Sequence, residues 1–263
     1  MLGSFLQEGS ISVLNYSNRI LQLPLGLFVI AISQAVLPQL ARAKTDEEFS
    51  DMLRQAVRFA LFAVLPAALG LMEISHEFVH LVFVRGEFNH WAWNATSSTL
   101  ALSMLGLPGM ACSTVIMRAL YALSMPREAF RVTLFSVVST AIFSLILIYP
   151  MSYNGLALAP GIAFTLSGIL GLYYVRKKLN MPLKIITKKF FWDYLIALTV
   201  LDASIMIFRF ILPYNPEASL LIRASWCLGV IILAAVSYGL SAAKMKIAEF
   251  NLLKEAVKFT NIK

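Results

Sequence analysis

The chain has 263 residues, of which 59% are hydrophobic and only 14% are charged. Because soluble domains carry about 25% charged residues, this composition excludes an ordinary soluble enzyme or binding domain and indicates a membrane protein with several spans. The net charge of +8 would favour nucleic acid as the partner of a soluble chain, but here the basic residues follow the membrane topology, and no nucleic-acid partner is expected. Cys112 and Cys227 lie within apolar runs, which supports neither a disulfide framework nor a cysteine metal cluster.

Seven stretches are long and apolar enough to cross a bilayer, since one crossing needs about 20 apolar residues. They lie approximately at residues 11–41, 55–74, 93–123, 129–149, 155–175, 190–212 and 219–242. The predicted fold class is therefore all-α, a polytopic membrane helical bundle with seven transmembrane helices. Residues 1–10 look like the end of a preceding helix or an outer loop, so we expect the chain to be part of a longer protein.

Lysine and arginine mark one side of these spans. Of the 22 basic residues, 18 flank the links after the first, third and fifth spans or follow the last span, and they include a basic link at 176–189 and a basic tail at 243–263. Cytoplasmic loops carry such an excess, so the amino end is predicted outside and the carboxyl end in the cytoplasm. The tail has apolar residues at helical spacing and is predicted to lie on anionic membrane lipids, with an ordinary solvated tail as the alternative.

The first span carries a polar stripe. At a helical advance of 100° per residue, one side collects Asn15, Asn18, Arg19, Gln22, Gly26 and Ser33. An ionised guanidinium within an apolar span costs roughly 3 kcal/mol on insertion scales, so it normally faces a partner, a wet cavity or a ligand. Arg19 is therefore a candidate binding residue. The alternatives are that it extends to the nearer interface or bonds a neighbouring helix.

Several helix breaks are expected. Pro24 removes a backbone donor near the middle of the first span, and Gly26 follows it closely. The third span contains Gly106, Pro108 and Gly109, a pattern tolerated where protein or a cavity supplies hydrogen bonds. Pro24, Gly26 and Pro108 are the candidate break or gating positions.

The link after the first span is predicted to open a helix. Thr45 is followed three residues later by Glu48, which is typical of a capping box. We expect this segment to form an interfacial helix that leads into the second span.

The sequence His76-Glu77-Phe78-Val79-His80 matches H-E-x-x-H, which on a helix would place two histidines on one face as zinc ligands and Glu77 as a general base. No third ligand follows at the expected spacing, although Asp193 or Asp202 on another helix could supply one. A membrane zinc metalloprotease is therefore an alternative function, and ordinary interfacial polar residues are the simpler interpretation.

Other polar and aromatic residues have simple interpretations. Asp202 and Arg209 lie seven residues apart, two turns along the same helix, so a direct pair between them is not expected. Six aromatic residues fall near span ends, where such residues anchor a protein at the membrane interface: Trp91, Trp93, Trp192, Tyr149, Tyr153 and Tyr214.

Three segments together resemble the MurJ/MviN-type lipid II flippases of the MOP transporter superfamily. They are LNYSNRILQLPLGLFVIAISQAVLPQLAR, with Tyr16, Arg19, Pro24, Gly26, Leu37 and Pro38 in matching positions, FVRGEF from Phe83 to Phe88, and RALYAL from Arg118 to Leu123. Members of that family have fourteen transmembrane helices in two six-helix lobes and a final pair. The resemblance implies that residues 11–175 are the five-helix part of the carboxyl-terminal lobe, and that 190–242 are the final pair, beside a lipid-tail groove.

The resemblance also implies a function. It predicts a transporter, not an enzyme, which moves lipid II across the bacterial inner membrane by alternating access, with the missing amino-terminal lobe as its partner. Arg19 matches the family's cavity arginine, and Asn15, Asn18 and Gln22 would add hydrogen bonds to the headgroup. No cofactor is expected; coupling to sodium, with Ser144 and Thr165 as weak candidate ligands, or to the membrane potential is a further possibility. Another polyprenyl-linked saccharide or a drug as cargo, and a seven-helix receptor, remain alternatives.

Overall fold

The computed structural model describes residues 7–86, 88–183 and 185–250, and over these residues it contains helices and no strands. In chain order the helices are α1 Ser10–Pro24, a π-helical segment Leu25–Ile30, α2 Ala31–Leu40, α3 Asp46–Glu73, α4 Ser75–Phe83, α5 His90–Ala122, α6 Pro126–Met151, α7 Tyr153–Leu179, α8 Lys188–Ile211 and α9 Leu220–Lys244. Within the described residues, seven stretches have the length and apolar character of a membrane span: α3, α5 to α9, and the stretch Ser10–Leu40 formed by α1, the π-helical segment and α2. The predicted all-α class and the seven spans are confirmed.

Helix α5 lies at the centre of the bundle. It has 33 residues, about 50 Å at 1.5 Å per residue, and it packs against α1, α2, α3, α4 and α7. Its fully buried apolar side chains include Leu100, Met104 and Leu107. Helix α6 packs on α7, whereas α8 and α9 pack on each other and join the bundle through α3 and α4.

Small residues bring α5 and α7 together. A Cβ atom added at Gly106 would lie 2.4 Å from the Cα of Gly161, and one added at Gly109 would overlap the Thr165 hydroxyl. The break predicted at Pro108 is wrong, because α5 continues through Pro108 from His90 to Ala122. The glycines around this proline serve the close approach of two helices.

The first span does change its helical form at the predicted proline. Helix α1 ends at Pro24, and the next six residues, which include Gly26, form the π-helical segment before α2 begins. Pro24 cannot donate the hydrogen bond that would continue the α-helical pattern, and a π segment is one way of accommodating that loss. The structure does not test a gating role for these residues.

The amino end of α3 is capped as predicted. The Glu48 backbone N–H donates to the Thr45 hydroxyl over 3.2 Å, while the Glu48 carboxylate accepts from the Lys44 backbone N–H over 2.8 Å. The helix predicted in this link leads into the second span as the first part of α3, which runs without interruption from Asp46 to Glu73; its interfacial position stays a prediction. The basic link is also shorter than predicted, since Arg176 lies in the last turn of α7. Lys184 and residues 251–263 of the basic tail lie outside the described residues.

Aromatic side chains fix the α8–α9 pair to α3 near the start of α8 and the end of α9. The Tyr238 hydroxyl donates to the Phe62 carbonyl over 3.2 Å, and the Phe62 ring contacts the rings of Tyr194 and Tyr238. Nearer the start of α8, Arg58 of α3 donates to the Ile185 carbonyl over 2.7 Å and lies over the ring of Phe190. Both contacts join α3 to a part of the chain more than 100 residues away in sequence.

We predict that Gly106→Ala destabilises the bundle by about 1–3 kcal/mol, because its new methyl group would meet the Gly161 backbone, which cannot rotate away. Gly70→Ala is the matched control: nothing lies within 4 Å of a Cβ there, so the alanine should stabilise α3 by about 0.5–1 kcal/mol. Thermal unfolding of both variants in one detergent measures the difference. Equal midpoints would contradict the role given to this contact.

Candidate functional site

The polar stripe of α1 lies on the exposed side of that helix. Asn15, Asn18, Arg19 and Gln22 are exposed, whereas the opposite face of α1 is buried against α5. Arg19 makes no hydrogen bond or ion pair with any other described residue. Ser33, predicted in the same stripe, is instead buried, and its hydroxyl donates to the Ile30 carbonyl over 2.9 Å.

A cavity of about 530 Å³ lies between α1, α5 and α7. Its polar lining includes Asn15 and Asn18 from α1 and the hydroxyls of Ser103 and Thr114 from α5. Both hydroxyls already donate to carbonyls of α5, over 2.8 and 2.7 Å. The two asparagine amides are therefore the groups free to bond a molecule in this cavity. Arg19 and Gln22 are exposed on the same helix, outside the cavity lining.

A larger cavity, about 850 Å³, lies at the start of α1. Tyr16 lines it, and its ring lies 4.7 Å from the ring of Phe83 and 5.5 Å from that of Phe88. Phe83 and Phe88 bound the FVRGEF segment. The structure therefore brings together two of the three segments that carry the family resemblance, although they are far apart in the chain.

The histidine motif is used for packing and hydrogen bonding. His76 Nε2 bonds Asn94 over 2.8 Å, Glu77 forms an ion pair with Arg209 at 2.5 Å, and His80 Nδ1 bonds Tyr214 over 2.7 Å. No group of three histidine, cysteine or acidic side chains within the described ranges could hold a metal ion. His76, Glu77 and His80 are therefore held by α5, α8 and α9 instead of sharing a zinc site.

Arg209 joins α8 to the end of α3. Besides its ion pair with Glu77, the guanidinium donates to the Glu73 carbonyl oxygen over 3.2 Å and lies 3.9 Å from the Glu73 carboxylate. The Glu77 side chain is only 7% exposed, so its charge needs this partner. The sequence predicted no direct pair between Asp202 and Arg209, and the structure directs Arg209 to these two glutamates.

His80 accepts two hydrogen bonds, one from the α8–α9 link and one from α9. The Tyr214 hydroxyl lies 2.7 Å and the Arg223 guanidinium 3.2 Å from its Nδ1 atom. Trp93 covers the imidazole at 4.5 Å and donates its indole N–H to the His76 carbonyl. Burial, then the charge of Arg223 and then His76 lower the pKa of His80 from its usual value. Burial likewise raises the pKa of Tyr214 to about 12.

Trp93 and Tyr214 contact the histidine motif from α5 and from the α8–α9 link, and their role as interface anchors stays a prediction. No role for Arg223 was predicted from the sequence.

The two weak sodium candidates lie on different helices: Ser144 of α6 is buried, while the Thr165 hydroxyl of α7 donates to the Gly161 carbonyl over 2.8 Å. Sodium binding stays a prediction.

Comparison with known families supports the resemblance. The model of the family described as "Lipid II flippase MurJ" matches residues 1–225. The chain belongs to the MurJ family. The family's description is that of a lipid flippase and not of an enzyme, which disfavours the zinc metalloprotease.

Three MurJ-family relatives illustrate the similarity. Proteins described as probable lipid II flippase MurJ from Haemophilus influenzae, Vibrio cholerae and Helicobacter pylori are 29%, 32% and 35% identical over 96%, 67% and 60% of this chain, and over 51%, 36% and 35% of their own lengths. A solved structure titled lipid II flippase MurJ, inward closed conformation, has a TM-score of 0.74 and 26% identity over 92% of this chain and 48% of its own. The chain thus spans about half the length of the Haemophilus influenzae relative and of the solved structure.

We predict that Arg209→Met destabilises the chain by about 2 kcal/mol, less than the roughly 3–5 kcal/mol for a fully buried pair, because the Arg209 side chain is 38% exposed. Glu77→Leu combined with Arg209→Met should recover much of this loss, since it removes the unpaired buried carboxylate. Thermal unfolding of both single variants and the double variant measures the coupling. Strictly additive effects would show that the two side chains do not interact.

Proposed function

We propose that this chain is the carboxyl-terminal part of a lipid II flippase, which moves undecaprenyl-linked peptidoglycan precursor from the inner to the outer leaflet of the bacterial inner membrane by alternating access. Membership of the MurJ family supports this proposal. The likeness to one half of a flippase structure supports a second lobe as the partner. The exposed Arg19 on the polar face of α1 is the observation that carries it.

Arg19 would bind the anionic part of the cargo. Its side chain is exposed and forms no ion pair with any other described residue, so it is free to meet a ligand. A guanidinium stays charged at any physiological pH and offers forked donors that match phosphate oxygens. Charge-assisted bonds to the pyrophosphate of lipid II would offset the cost of holding this charge in an apolar span.

The neighbouring amides would bind the uncharged part of the headgroup. Asn15 and Asn18 line the cavity of about 530 Å³, a volume within the usual range of ligand sites, and Gln22 lies one turn beyond Asn18. Each amide offers donors and an acceptor to sugar hydroxyls or peptide groups. The stripe would thus place phosphate-binding and sugar-binding side chains on one helix face.

The α4 end of the bundle would face the outside. The links after α2, α5 and α7 lie at the opposite end, and most lysines and arginines lie there too. The positive-inside rule therefore supports a cytoplasmic position for that end. The short α4 helix and the α8–α9 link would then lie on the periplasmic side of the inner membrane.

Arg19→Ala is predicted to lower lipid II translocation at least about tenfold, because one charge-assisted bond of about 1.5–3 kcal/mol would be lost. Arg19→Lys should retain part of the activity, since it keeps the charge but loses the forked geometry. The measurement is lipid II left on the inner leaflet of cells depleted of their own flippase. These cells would produce the chain together with an amino-terminal lobe of the family.

Arg54→Ala is the matched control for Arg19→Ala, because Arg54 is an arginine of α3 that pairs with Asp51 near the helix start, away from the stripe. It should translocate normally at equal abundance. Full translocation by Arg19→Ala would contradict the role of the arginine. If the unsubstituted chain is abundant but moves another polyprenyl-linked saccharide and leaves lipid II behind, the proposed cargo is wrong.

The orientation makes a separate prediction. With Cys112 and Cys227 replaced by alanine, a cysteine at Asn215 should react with an impermeant thiol reagent added to intact spheroplasts, whereas one at Lys177 should react only after the membrane is opened. Both positions are exposed and lie at opposite ends of the bundle. The reverse labelling pattern would contradict the predicted topology.

A further inference from the structure

The α4 end of the bundle contains a buried histidine that holds two helices together. His80 belongs to α4, Arg223 to the first turn of α9, and Tyr214 to the link before α9. His80 is 6% exposed, and its Nδ1 atom is the common partner of the other two side chains. This contact is independent of the α1 stripe on which the proposed function rests.

The partners fix the protonation state of this ring. A guanidinium can only donate hydrogen bonds, so Nδ1 must accept from Arg223 and cannot itself carry a proton. The Tyr214 hydroxyl then donates to the same atom. His80 is therefore neutral in this arrangement, with its proton on Nε2.

The surrounding charges oppose protonation. From α4, Glu77 and His76 face this region, and α3 contributes Glu73; α8 contributes Arg209 and α9 contributes Arg223. Three further titratable groups lie near this region: Tyr214 of the link, Cys227 of α9 and His90 of α5. The His90 ring contacts the ring of Trp93. The charge of Asp202 on α8 also reaches Glu73, and Glu77 is already paired with Arg209. A proton on His80 would therefore place a second positive charge beside Arg223 at a buried position.

We propose that His80 is a proton-sensitive latch that holds the start of α9 and the α8–α9 link against α4 when it is neutral and releases them when it is protonated. A proton taken from solution onto Nδ1 removes the acceptor of the Arg223 hydrogen bond, and the Tyr214 hydroxyl, which can also accept, must reverse its role. The proton also places an imidazolium beside the Arg223 guanidinium, at a present nitrogen-to-nitrogen distance of 3.2 Å. The released segments move away from α4, while the aromatic contacts of Phe62 keep the start of α8 and the end of α9 attached to α3.

The sign of the pH dependence follows from the environment of the ring. Burial and Arg223 lower the pKa of His80 in the closed form, whereas an exposed histidine has its ordinary pKa of about 6.5. The latch is therefore closed at neutral pH, and its contribution to stability is lost as the pH falls below that ordinary value.

The test measures the distance between nitroxide labels on Val82 of α4 and Leu221 of α9, both of which are exposed. The full chain is used, in lipid nanodiscs, with Cys112 and Cys227 replaced by alanine. Lowering the pH from about 7.5 to about 5 crosses the ordinary histidine range and should convert a short distance into a longer, broader population. An unchanged distance over this range would overturn the proposal.

Two variants separate His80 from the nearby carboxylates, which also begin to titrate in acid. His80→Gln offers an amide oxygen as acceptor and does not titrate, so its distance should stay the same at both pH values. Arg223→Gln removes the neighbouring cation, so the midpoint of the transition should move upward, towards about 6.5. If His80→Gln responds to acid like the unsubstituted chain, or if Arg223→Gln leaves the midpoint in place, His80 is not the latch.

Discussion

The cost of removing a guanidinium from water decides where the arginines of this bundle lie. Arg58, Arg209 and Arg223 each reach across to another helix or link, where a carbonyl, a carboxylate or an imidazole nitrogen accepts their hydrogen bonds. All three thereby hold the α8–α9 pair to α3 and α4. Arg19 differs, since none of the described side chains accepts a hydrogen bond from it. The same physical cost that makes the first three structural makes Arg19 the natural residue for an anionic cargo.

The different roles of these arginines depend on a rigid part of the bundle. This part is the contact between α5 and α7, where Gly106 and Gly161 let the two backbones approach closely. Helix α1 packs on α5, so the polar stripe and the cavity beside it have a fixed wall behind them. The α8–α9 pair does not contribute to that wall; polar contacts attach it at the α4 end, and aromatic contacts attach it near the start of α8 and the end of α9. Its separate attachment is what permits one end of the pair to open without disturbing the cavity.

Much of the fold could be predicted from the sequence because hydropathy acts over single segments. The seven spans, the cap at Thr45 and the change of helical form at Pro24 all follow from residues near each other in the chain. The polar stripe was also visible, because its members share one helix. The contacts of His80 were not, since Tyr214 and Arg223 are 134 and 143 residues away in sequence. Local patterns also misled: the H-E-x-x-H spacing is compatible with zinc, but each side chain found a partner on another helix, and Pro108 did not interrupt α5.

The π-helical segment after Pro24 has a geometric consequence for the first span. In an uninterrupted α-helix Ser33 would lie in line with Arg19, but a π turn adds about one residue, which rotates everything beyond it by roughly 100°. This rotation turns Ser33 into the bundle, where α2 packs on α5, and leaves Arg19 on the open side. The polar stripe along this helix therefore ends halfway across the bilayer. A change of those six residues from π-helix to α-helix would extend the stripe towards the opposite leaflet without breaking the helix.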